Sequence, residues 1–144
     1  MEEKIGVDQF KKRLVDLFVR SKQEMLPKKN EDRQIVLKTV AMRIERDRDY
    51  TEQEINAEIQ EWLMTVGRGM RADVPAIRRE LVDGKYVMRD KAGTCYQVWV
   101  DGPGNSLFDS AVDVVDVPAV IEEGRVELEA RKQAFLKQKE QAKK

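Results

Sequence analysis

The chain has 144 residues, 27 lysines and arginines against 27 aspartates and glutamates, no histidine and one cysteine, Cys95. That length suits one domain with appendages, and the missing histidines exclude Ser-His and Cys-His nucleophile pairs, histidine zinc sites and the ordinary pH switch, while a lone cysteine excludes an internal disulfide. No apolar run reaches the ~18 residues of a membrane span and Met1-Glu2-Glu3-Lys4 lacks an export-signal layout, so the expectation is a cytoplasmic binding protein with no catalytic activity and no cofactor or metal.

Residues 7–25 set Phe10, Leu14, Leu17 and Phe18 at i, i+4, i+7 and i+8, which predicts an amphipathic helix closed by Leu26-Pro27. Asn30 is the expected cap of a second helix with Leu37, Val40, Ala41 and Ile44 on one face, and Glu45–Asp49 reads as a charged loop. Thr51-Glu52-Gln53-Glu54 has the capping-box pattern, and Ile55, Ile59, Trp62, Leu63 and Val66 form a stripe ending at Gly67. After the loop 67–72, Asp73-Val74-Pro75 opens a shorter helix with Val74, Ile77 and Leu81 inward and Gly84 as the expected left-handed stop. Tyr86–Arg89 and Thr94–Val100, rich in β-branched and aromatic residues, flank the turn Asp90–Gly93 and predict a β-hairpin. The breaker cluster Asp101–Ser106 is the expected end of the compact domain. Val112, Val114 and Val117 suggest a short extended segment, Asp116-Val117-Pro118-Ala119 repeats the helix start of Asp73–Ala76, and residues 118–141 read as a helix with Ile121, Leu128 and Phe135 seven apart and a frayed end.

This divides the chain into an N-terminal helix (1–25), a central domain (26–100), and a linker with a C-terminal helix (101–144). The central order of helix, helix, short helix and hairpin is that of a winged helix-turn-helix, mainly α with a small β-hairpin, in which the third helix enters the major groove and the hairpin lies along the backbone. Between Val66 and Trp99 seven basic residues (Arg68, Arg71, Arg78, Arg79, Lys85, Arg89, Lys91) face four acidic ones, so a chain of zero net charge still has a basic region able to meet a polyanion.

Leu26-Pro27-Lys28-Lys29, Tyr50-Thr51-Glu52 with Glu54 and Asn56, Arg78-Arg79-Glu80-Leu81-Val82-Asp83, and the Arg89-Asp90-x-x-Gly93-x-x-Tyr96 hairpin together resemble a bacterial family catalogued as domain of unknown function 2087, over about residues 26–99. The resemblance implies a winged-helix module and, because some members are joined to helix-turn-helix regulators, work related to transcription regulation.

The leading expectation is a regulator that binds duplex DNA through the seven cations, with Arg78 and Arg79 in the groove and Arg68, Arg71, Lys85, Arg89 and Lys91 towards phosphates. Each has a plainer reading: Arg78 and Arg79 paired with Glu80, Asp83 or loop acids, Arg89 and Lys91 as a solvated hairpin tip. Gly67-Arg68-Gly69 lacks the strand and Lys-Ser/Thr of a P-loop and reads as a turn. Trp62 is core, Trp99 faces away from Val98 and Val100, and Cys95 is an inert hairpin thiol. The alternative function is a protein-interaction module on the same scaffold, favoured by the zero net charge and the acids Glu52, Glu54, Glu58 and Glu61. Phe10, Leu14 and Phe18 with Ile121, Leu128 and Phe135 either pack the terminal helices on their own domain or join two copies as a homodimer.

Overall fold

The computed structural model describes residues 3–21 and 24–142. Three α-helices and one antiparallel hairpin build a winged-helix-like core flanked by an N-terminal and a C-terminal helix, in the order α1 (Val7–Val15), α2 (Asn30–Ala41), α3 (Glu52–Met64), α4 (Val74–Asp83), β1 (Val87–Arg89), β2 (Tyr96–Val98) and α5 (Val117–Ala142). No helix among the described residues is long and apolar enough to cross a membrane.

Local chemistry sets most helix starts. Thr51 Oγ1 accepts from the Glu54 amide (3.1 Å) while Glu54 Oε1 accepts from the Thr51 amide (3.0 Å), the reciprocal capping box. Asp73 accepts from the Ala76 amide at 2.8 Å and Asp116 from the Ala119 amide at 3.1 Å, so the two Asp-Val-Pro-Ala segments do the same work. At α2 the expectation fails: the cap position is Lys29, with no side-chain cap, and Asn30 is the first helical residue, its Oδ1 accepting from Gln34 Nε2 instead.

α2 is the central helix, buried continuously from Ile35 to Ala41, so the apolar face expected from its spacing is only part of what it buries. α1 and α4 pack on it, and α3 packs on α4. The N-terminal helix is shorter than 7–25: the regular α turn ends at Val15, and Asp16–Arg20 form a wide π-type turn closed by the Ser21 amide on Asp16 O (2.8 Å). The remainder of that expectation, at Lys22 and Gln23, lies outside the described residues. Trp62 is fully buried, as expected, with Nε1 donating to Thr39 Oγ1 at 3.0 Å.

β1 and β2 pair Val87 with Val98, Met88 with Gln97 and Arg89 with Tyr96. Tyr50, between α2 and α3, exchanges two 2.8 Å backbone hydrogen bonds with Tyr96 and so adds one residue of a third strand outside β2. That contact ties the chain ahead of α3 to the wing. The residue with positive φ after α4 is Lys85 (64°), whereas Gly84, the expected stop, keeps a right-handed conformation (φ −78°).

The breaker cluster 101–106 is not the edge of the core. Gly102 and Gly104 are buried because the chain passes tightly over the end of α4: a Cβ on Gly102 would meet the Lys85 carbonyl at 2.6 Å, and one on Gly104 would meet that of Gly84. Beyond them Phe108 and Val112 enter the core, the latter in a 3-10 turn (Ser110–Val114) where an extended segment was expected. Phe108 stacks edge-on against Phe10 of α1 at 5.9 Å, and Ile5 pairs with the 107–109 backbone. Lys38 of α2, its side chain only 4% exposed, clamps the returning segment through Asp113 (2.7 Å) and Asn105 (2.9 Å).

α5 then lies against α1 with Val117, Ile121 and Gly124 buried, and continues to Ala142. Lys143 and Lys144, part of the expected frayed end, lie outside the described residues.

Candidate nucleic-acid interface

α4 turns Ile77 and Leu81 into the core and leaves Pro75, Arg79 and Asp83 exposed on its opposite face. α5 packs on α1 and on the π-type turn, and α1 packs on α2, while Pro75, Arg79 and Asp83 stay exposed, so this outer face of α4 is open. Between it and the hairpin lies a cleft of about 150 Å³ lined by Arg78, Arg79, Val82, Asp83, Arg89 and Tyr96. Three of the seven expected cations therefore meet at one place, two from α4 and one from β1.

They are not equivalent. Arg78 is engaged in the fold: its guanidinium bonds Glu52 at 3.0 Å and the Asn56 side-chain oxygen at 2.5 Å, both on α3, and its side chain is 19% exposed. Its partner is Glu52 of α3 and not Glu80, Asp83 or a loop acid as expected; Glu80 pairs with Arg33 of α2 at 2.6 Å. Arg79 and Arg89 are exposed, the Arg89 guanidinium lying over Gly93 of the hairpin turn, and neither forms an ion pair among the described residues. Lys85 sits exposed in the turn between α4 and β1, and Lys91 at the hairpin tip.

The other two expected contacts lie elsewhere. Arg68 lines a separate cleft against α5. Arg71, 80% exposed, lies 3.8 Å from Glu24 and its amide bonds the Glu24 carbonyl. Gly67-Arg68-Gly69 is a closed turn, with the Gly67 amide on Trp62 O and the Met70 amide on Gly67 O, both at 2.8 Å.

The hairpin tip is rigidly tied. Asp90 accepts from the Thr94 hydroxyl (2.8 Å) and from the Thr94 and Cys95 amides (2.8 and 3.1 Å), and these bonds hold its carboxyl below the usual carboxylate range. Cys95 is pushed the other way: partial desolvation, followed by the nearby Asp49 and Asp90, raises its thiol, so it stays protonated at neutral pH. Tyr86 anchors the base of the hairpin, buried, its hydroxyl donating to Gln34 Oε1 at 2.8 Å, with burial raising its phenol above the ordinary range.

Of the residues expected at an interface between copies, Phe10, Leu14 and Ile121 are buried in the chain's own core and have no surface left for a partner. Phe18 packs edge-on against Trp62 (6.3 Å) and Leu128 is partly buried against the body. Phe135 alone among them is exposed, at 63%. What the sequence reading missed is the ionic framework joining distant elements: Arg13 to Asp32, Arg33 to Glu80, Lys38 to Asp113. Alternating charges at surface-like positions gave no signal for these pairings, because partners up to 75 residues apart meet only in the folded chain.

Among the described residues no three or more His, Cys, Asp or Glu side chains gather as a metal site would need. Comparison with curated proteins and with solved structures finds no match. A family model matches residues 23–98, which take in α2, α3, α4 and the hairpin, more than half of the chain, and hold the whole Arg78, Arg79 and Arg89 cleft. The chain belongs to the family described as an uncharacterized protein conserved in bacteria (DUF2087).

Proposed function

We propose that the protein binds duplex DNA as a bacterial transcription regulator, through the outer face of α4 and the wing, and acts by binding rather than by catalysis. The observation that carries this reading is the convergence of Arg79 and Arg89 on one open cleft between a helix and a hairpin, with the face of α4 uncovered. A guanidinium at the middle of a groove-facing helix suits guanine edges or phosphate oxygens, and one on a wing suits the backbone alongside. Arg78 holds α4 on α3 and sets the angle of the reading helix rather than touching nucleic acid.

The electrostatics set the scale. Arg79, Lys85, Arg89 and Lys91 supply at most four phosphate contacts, giving a log-log salt slope no steeper than about −3.6, and Asp73 at the cap of α4 with Asp83 in its last turn reduces the attraction further. Binding is therefore weak on random sequence, and affinity depends on direct base contacts.

Fluorescence anisotropy with a labelled duplex at low salt tests the proposal. The wild type binds, Arg79→Glu with Arg89→Glu does not, and the melting midpoint of that variant is unchanged because both side chains are exposed. Undiminished binding by the double variant overturns the proposal, as does a wild-type chain that ignores both duplex and heparin.

A further inference from the structure

A second cleft, separate from the first and far larger at about 710 Å³, lies between the first half of α5 and the 66–70 turn, with Phe18, Val66, Met70, Val126 and Leu128 among its walls. From the same helix residues 129–142 are exposed throughout, about 21 Å of helix at 1.5 Å per residue, with Glu129 and Lys132 still beside that cleft and the rest leading away from it. An unsupported helix of this length is marginal in water. Yet it displays two large apolar side chains, Phe135 and Leu136, exposed by 63% and 51%. At 3.6 residues per turn Phe135 returns to within about 40° of Ile121 and so continues the seam that docks α5 on α1, while Leu136 falls on the side of Arg125 and Glu129, which faces the cleft.

Charge along α5 names the occupant. Residues 117–129 hold Glu122, Glu123, Glu127 and Glu129 against Arg125 alone, and residues 130–142 hold Arg131, Lys132, Lys137 and Lys139 against Glu140 alone. A second α5 laid antiparallel sets acidic half against basic half twice over, whereas a parallel one sets like against like. We propose that α5 pairs antiparallel with α5 of a second copy, each exposed half carrying Phe135 and Leu136 to the cleft of the other. The interface is isologous, as a two-fold dimer requires.

Sedimentation velocity of the full chain up to about 0.1 mM tests it. The wild type runs at twice the monomer mass, and Phe135→Glu with Leu136→Glu weakens association at least about tenfold while far-ultraviolet circular dichroism shows the folded body retained. Glu122→Lys with Glu123→Lys in one chain, and Lys137→Glu with Lys139→Glu in another, each leave a monomer; mixed one to one, the two chains form a heterodimer. A wild type that stays monomeric overturns the proposal, whether or not it captures another protein. So does a dimer indifferent to the apolar pair, or charge variants that do not rescue each other.

Discussion

α4 and α5 begin with the same four residues, Asp-Val-Pro-Ala, and with the same hydrogen bond, donated to the aspartate by the amide three residues on, yet they end in opposite situations. α4 runs ten residues, is fixed on one side by Ile77, Leu81 and the Arg78–Glu52 pair, and turns a charged face outward beside the wing. α5 runs 26 residues, rests on α1 for its first half only, and leaves the remainder with two uncovered apolar side chains. The cap decides where a helix begins. What lies across from it decides whether it is held along its length or only at its start.

Core truncation under α4 separates the two helices most strongly. Leu81→Ala removes a fully buried side chain and is expected to cost about 2–5 kcal/mol by chemical denaturation. The variant loses the wing's support as well, because α4 packs on β1.

Under α5 the contact is tight but local. A Cβ on Gly124 already meets Val15 Cγ2 at 2.8 Å, so Gly124→Val forces α5 off α1 at about 1–3 kcal/mol. Amide spectra are expected to shift in α1 and α5 and not in α3 or α4.

The shared cap gives the sharpest test of equivalence. Asp73→Ala and Asp116→Ala are each expected to cost about 1 kcal/mol in thermal or denaturant unfolding. A large difference between them would show that the surroundings, and not the local hydrogen bond, set the value of the cap.

The smallest effect is at the wing tip. Because the Asp90 carboxyl is held low in the folded chain, its contribution is complete above the unfolded value of about 3.9 and is lost as the pH falls through the lower folded value. The Thr94 and Cys95 amide resonances should titrate below the ordinary carboxylate range, and Asp90→Asn should abolish that titration.

The same contrast explains what could be read from residues alone. The capping box at Thr51, both Asp-Val-Pro-Ala starts, the Ile55–Ile59–Trp62 stripe and the hairpin around Asp90–Gly93 are local, and each is observed. Failures occur where a distant partner decides. Gly102 and Gly104 read as the end of the compact domain because glycines cluster there with other breakers, whereas here they permit close approach to the end of α4. Asn30 looks like a cap, but the helix starts one residue earlier than that role allows. Lys38 sits among apolar neighbours and is charged in sequence, and only Asp113 and Asn105, brought back by the 101–114 segment, make its burial intelligible. At the candidate interface the type of residue was legible and its engagement was not: Arg78 and Arg79 are adjacent and identical, and α3 binds one and leaves the other to solvent.

The most direct test of the central claim is a two-dimensional amide spectrum of the full chain titrated with a short duplex at low salt. The account predicts that resonances move in α4 and in the wing, 75–83 and 86–98, with those of α1 and α5 unmoved. Shifts confined to α1 and α5, or none at all at saturating duplex, would contradict it.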